Sequence, residues 1–115
     1  MEKMIATLFL SRDLAHAAHL RTDSLAEHMA LNTFYDEIVG LADKLAESWM
    51  GHQSKKLGEI PLLDNDYSGS IDDVLEQILA WIEDNRPGSP SYIENIIDEV
   101  CALFAQTLYR LREIH

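Results

Sequence analysis

Apolar side chains return every three to four residues along four separate stretches of this chain, and nowhere does an apolar–polar alternation run long enough to make a strand. The first stretch, over about residues 2–20, carries Ile5, Leu8, Phe9, Leu14, Ala15 and Ala18 on one stripe. The second, over 24–50, opens on Ser24 with Glu27 three residues on. That is a capping box, in which hydroxyl and carboxylate satisfy each other's free backbone N–H groups. It continues through Leu31, Phe34, Ile38, Leu41 and Leu45 to Gly51, a residue type suited to ending a helix. The third, over 70–85, starts at Ser70 with Asp73 as its capping partner and carries Val74, Leu75, Ile78 and Ile82. It stops before Arg86-Pro87, because the residue ahead of a proline is pushed out of the helical region. The fourth, over 90–113, begins at Ser89-Pro90, a cap followed by proline in the one helical position that suits it.

The links decide how such helices assemble. About three residues join the first pair and about four the second, so each pair is expected to form an antiparallel hairpin. Residues 51–69, between the pairs, are numerous enough to cross the length of a bundle. The expected architecture is all-α: one domain over residues 1–115, a four-helix ferritin-like bundle of two hairpins and a long crossover loop. A chain of 115 residues leaves no room for a second domain and supports only a modest core, which oligomerisation would help.

Twenty Asp and Glu against nine Lys and Arg give a net charge of −11. That sign excludes phosphate backbones as the main partner, since nucleic-acid affinity rests on basic groups that release counterions. No direct DNA binding is expected. Between Lys56 and Arg86 lie eight acids and no basic residue. Such a run reads as a solvated face, a cation-attracting surface or a docking surface for a basic protein. No apolar run approaches the ~18 residues of a bilayer span. The lone Cys101 can form no internal disulfide and reads as a buried, inert thiol, with a cytoplasmic location expected.

One constellation carries chemistry. His16 and His19, three residues apart, share a face near the end of the first helix. On the second helix Asp43 and Glu47 are one turn apart and can converge on one cation. His28 lies on the same face, but fifteen residues away, or about 22 Å along the axis. No ion bridges that distance within one chain. Between two chains it can be bridged, if the second helix packs antiparallel on its twin about a two-fold axis near Tyr35 to Glu37. His28 of one subunit then meets Asp43 and Glu47 of the other, and self-complementarity makes two equal sites. An imidazole with carboxylates and open positions suits Fe(II), with Zn(II) or Mn(II) as alternatives.

The run from His19 through His28, Asn32 and Asp43 to Glu47 resembles the start of the Dps-like branch of the ferritin superfamily, above all its short members, many of them from bacteriophages. In that family a His lies near the end of the first helix and another on the second. An Asp follows the second His by four residues, and an Asp and a Glu follow it by fifteen and nineteen. His28, Asp43 and Glu47 match this spacing. His19 matches if three residues of the first turn are deleted, and His16 if they are not. Asn32 stands where the family has its first Asp. The resemblance, over about residues 14–51, implies an intersubunit ferroxidase centre in which Fe(II) is bound and oxidised, often by hydrogen peroxide. It implies His19, His28, Asp43 and Glu47 as metal ligands, with Asn32 and His16 as secondary candidates, and at least a homodimer through the second helix. The chain is shorter than the family and lacks its basic DNA-binding tail. In a viral source the location would be the host cytoplasm.

A second motif, Asp64 to Glu76, follows the calcium-loop template over its first nine positions but has Leu75 where a bidentate Glu belongs. An Asp-rich turn ahead of the third helix is the expected reading. Tyr35 and Trp49 read as packing residues and His52 as exposed. The competing reading of the whole chain is a non-catalytic, acidic interaction protein, viral in origin, that uses the same bundle to dock on a basic partner surface.

Overall fold

In the computed structural model, which describes residues 1–88 and 90–115, the chain forms four helices, and no strand occurs among the described residues. They are α1 (Glu2–Arg21), α2 (Leu25–Gln53), α3 (Ile71–Asp84) and α4 (Ser91–Glu113). Helix α1 packs against α2 and α3, and α4 packs against the same two, so the helices form a four-sided bundle around one core. The 29 residues of α2 span about 43 Å at the usual helical rise. They account for the long axis of 46 Å.

The helical stripes meet where their periodicity directs them. Phe34 of α2 and Phe104 of α4, both fully buried, pack edge to face with centroids 4.9 Å apart. Ile5 and Leu8, Leu31 and Ile38, Leu75 and Ile78, and Ile93 and Ile97 fill the remaining sides of the core. Helix α1 departs from a simple stripe, because Met4, Ile5, Ala6, Thr7 and Leu8 are all buried in succession. Two helices cover two of its sides, and the crossover covers more. Leu57, Ile60 and Tyr67 pack onto the core, and the Gly58 N–H donates to the Glu2 carboxylate at 2.7 Å. Phe9, expected on the buried stripe, is instead 39% exposed.

Four helix ends differ from expectation. Gly51 does not end α2. The helix runs through it to Gln53, and Ser54 takes the left-handed turn (φ 55°) while its N–H donates to the Gly51 carbonyl. A helix tolerates an interior glycine, so the residue type alone could not fix the stop. At the start of α2, Ser24 Oγ accepts from the Glu27 N–H at 3.2 Å, but the reciprocal half of the box is absent and the Ser24 N–H donates to Thr22 Oγ1. At the start of α3, Ser70 caps no backbone N–H; its hydroxyl donates to Asp72 and Asp73. Pro90 is itself the N-cap of α4, which begins at Ser91, and the expected cap Ser89 lies outside the described residues.

Arg86 locks the α3–α4 link. Its guanidinium donates to Glu83, to both the carboxylate and the carbonyl of Glu94, and to Asp98, while the Gly88 N–H donates to Glu94. The carboxylates of Asp98 and Glu94 push the Arg86 pKa further up.

Candidate functional site

Only Thr22, Asp23 and Ser24 separate α1 from α2, so the end of one helix must face the start of the other. This brings His19 onto His28. Their rings stack with centroids 3.6 Å apart and planes at 21°. Each ring reaches across to the other residue's backbone: His19 Nδ1 lies 2.7 Å from the His28 carbonyl, and His28 Nδ1 lies 2.9 Å from the His19 carbonyl. A carbonyl can only accept, so hydrogen is assigned to both Nδ1 atoms, which leaves a lone pair on each Nε2 of the neutral rings. Neither Nε2 has a protein partner, yet no buried side-chain nitrogen or oxygen among the described residues is unsatisfied. Both Nε2 atoms therefore reach solvent, although the His19 residue as a whole is buried.

A second layer backs this pair. His16 stacks on Tyr35 at 4.2 Å, and the Tyr35 and His19 rings meet edge to face at 5.2 Å. The Tyr35 hydroxyl donates to Asn32 Oδ1 at 2.7 Å, and the Asn32 amide donates to Asp36 at 3.3 Å. The Asn32 oxygen, one turn from His28, is thus held by Tyr35, and no charge stands at that position. Tyr35 and Asp36 have no motif of their own. Their spacing of seven and eight residues from His28 is the signal that places them on its side of α2.

The expected acids lie further along the same helix. Asp43 and Glu47 are exposed, and among the described residues neither has a hydrogen-bond or ion-pair partner. Within one chain the expected ligand set therefore falls into an imidazole half at one end of α2 and a carboxylate half toward the other. Among the described residues no three His, Cys, Asp or Glu side chains converge as a metal site would require.

The acidic run is less open than its composition suggests. Arg112 on α4 reaches Asp72, Asp73 and Glu76, and Arg86 takes Glu83, so four of the eight acids are ion-paired within the chain. The Ser70 hydroxyl and, after it, Arg112 hold the Asp72 carboxyl below its usual range. No helix enters the loop from Asp64, and Asp72 and Glu76 of the calcium template are drawn onto Arg112. The Cys101 thiol donates to Glu83 at 2.7 Å and is half-buried. Burial, reinforced by Glu83, pushes its pKa up to about 12, which leaves little thiolate at neutral pH. His52 is exposed and lies 3.1 Å from the Tyr92 hydroxyl. No described helix is long and apolar enough to cross a membrane.

These features define an all-helical, four-helix protein with a histidine pair at one inter-helix link. Residues 19–111 match the family of unknown function (DUF5856), and the chain belongs to that family. The match begins at His19 and ends at Leu111, so the stacked pair, all of α2 and α3 and most of α4 fall within it. The chain is also similar to an uncharacterized 14.6 kDa protein in the mobD-ri intergenic region of Enterobacteria phage T4. The two are 26% identical over 114 residues, which cover 96% of this chain and 86% of that protein. No solved structure matches.

Proposed function

We propose that the chain is a ferritin-like, Dps-type iron-binding protein of the cytoplasm, viral in origin, whose metal site is completed between two-fold-related subunits. The contacts between helices support the ferritin-like connectivity. His19 meets His28 at one end of the bundle, and Arg112 meets Asp72 between α4 and α3. Lys3 lies over Trp81, and Glu2 holds Gly58 near the start of α1. In this reading α1–α2 and α3–α4 are antiparallel hairpins, and residues 54–70 climb the bundle between them.

The observation that carries the metal reading is the mutual lock of His19 and His28, which presents two solvent-reaching Nε2 lone pairs on rings that cannot rotate freely. This is the second-sphere hydrogen bonding that fixes the tautomer of a ligating imidazole. Asp43 and Glu47 supply the anionic half from the partner chain when α2 runs antiparallel to its twin. Iron is the substrate: Fe(II) held there gives an electron to a dissolved oxidant, and the protein's part is to bind and orient the ion. Asn32, neutral and hydrogen-bonded by Tyr35, leaves the site with one fewer negative charge than the Dps pattern, so binding of Fe(II) is weaker than in a full set.

Aerobic addition of Fe(II) to the purified protein should give ferric absorbance well above buffer, and His28→Ala and Glu47→Ala should each abolish it. If the wild type oxidises no iron, the acidic docking reading takes its place. That reading starts from a weaker position, because half of the acidic run is already ion-paired within the chain.

A further inference from the structure

Along the first turns of α2, the chain leaves a groove of about 600 Å³ against the end of α4. That volume lies within the roughly 300–1,000 Å³ of small-molecule sites. Leu25, Met29, Ala30 and Thr33 form one wall, with Arg110, Ile114 and His115 opposite. Leu25, Met29 and Ile114 are 72%, 61% and 48% exposed, so three large apolar side chains stand together with no described residue covering them. From Leu25 to Thr33 the wall is about 12 Å long.

The polar groups of the groove select the ligand. The Thr33 hydroxyl donates to the Met29 carbonyl, and the Ser24 hydroxyl already accepts from Glu27. Arg110 is half-buried, and among the described residues no carboxylate lies within ion-pair distance of it. Arg86 and Arg112, by contrast, are each held by three acids. In a chain with twenty Asp and Glu, a half-buried arginine left without one beside an apolar groove is an unfilled anion position. Its planar fork matches a carboxylate. We propose that this groove binds a small hydrophobic carboxylate, a medium-chain fatty acid, with Arg110 on the head group and Leu25, Met29 and Ile114 along the chain. Leu25 and Met29 share the α2 face of Asp43 and Glu47, so pairing of α2 with its twin would cover this wall, and the site is one of the single chain.

The test is a titration of ¹⁵N-labelled protein with octanoate, octylammonium and 1-octanol, followed by amide shifts. Octanoate should shift Ala26, Ala30 and Thr33 saturably, octylammonium should not, and 1-octanol should bind at least tenfold more weakly. Arg110→Gln should weaken octanoate at least tenfold. Met29→Glu, at an exposed position, should abolish binding by placing an acid in the groove, and it decides the matter if Arg110→Gln fails to fold. Equal binding of octanol and octanoate, or octanoate shifts elsewhere on the protein, would overturn the proposal. So would groove shifts that follow protein concentration alone, which would put a second copy of the chain there.

Discussion

Gly40 stands in the middle of α2, exposed, and a Cβ added there would meet nothing within 4 Å. A glycine inside a helix costs about 0.5–1 kcal/mol relative to alanine, because its unfolded backbone has more freedom to lose. Nothing in the single chain offsets that. Gly40→Ala should therefore stabilise the isolated chain by about 0.5–1 kcal/mol, which for a domain of this size raises the melting midpoint by about 2–5 °C. The assay is thermal unfolding by circular dichroism, at concentrations where sedimentation velocity shows monomer. Pairing of α2 with its twin would give the glycine a purpose. It lies one turn from both Asp36 and Asp43 on the outward face, where a missing side chain lets two helices approach closely. Gly40→Leu should likewise raise the dilute melting midpoint while weakening self-association at least tenfold. A lower midpoint for Gly40→Ala in the dilute chain would refute the open-face reasoning, and unchanged association of Gly40→Leu would refute close helix pairing.

Phe104→Ala should cost about 3–5 kcal/mol by removing a fully buried ring. That is read as a lowered urea midpoint, whereas Leu62→Ala, at a fully exposed side chain, should leave the midpoint in place. Cys101 in the folded protein should react with Ellman's reagent at pH 8 about a thousandfold more slowly than in urea, since each unit of raised pKa removes tenfold of thiolate. Because its folded pKa is raised from 9.0 to about 12, the unfolded chain releases the proton first, so this thiol makes stability fall as pH climbs through that window. Cys101→Ser should flatten the decline. Arg86→Gln breaks the clamp on the α3–α4 link and should lower stability by about 1 kcal/mol, the discount reflecting solvent around its acids.

The helices were legible because their cores repeat at helical period over long runs: Leu31, Phe34, Ile38 and Leu45 on α2, and Ile93, Ile97, Val100 and Phe104 on α4, are all buried as their spacing requires. Ends were harder, since Gly51 is compatible with both a helix interior and a stop, and only the backbone hydrogen bonds around Ser54 decide. The buried succession from Met4 to Leu8 was illegible, because it depends on where a structureless crossover lies. The candidate site divides similarly. That His19 and His28 flank a short link is written in the sequence, but the exchange of Nδ1 hydrogen bonds with each other's carbonyls is a tertiary fact. The ion pairs that draw Asp72, Asp73 and Glu76 onto Arg112 link residues 36 to 40 positions apart, which no local pattern announces.

Subunit mixing tests most directly whether a metal site is shared between two chains. His28→Ala and Glu47→Ala chains, each unable to bind Fe(II) alone, are unfolded together, refolded and titrated anaerobically with Fe(II) by calorimetry. Random pairing makes half of the dimers mixed, and each mixed dimer keeps one intact His28 opposite one intact Glu47, so about a quarter of the wild-type binding capacity should return. Full binding by either variant alone, or no recovery in the mixture, would contradict a site built across the two-fold axis.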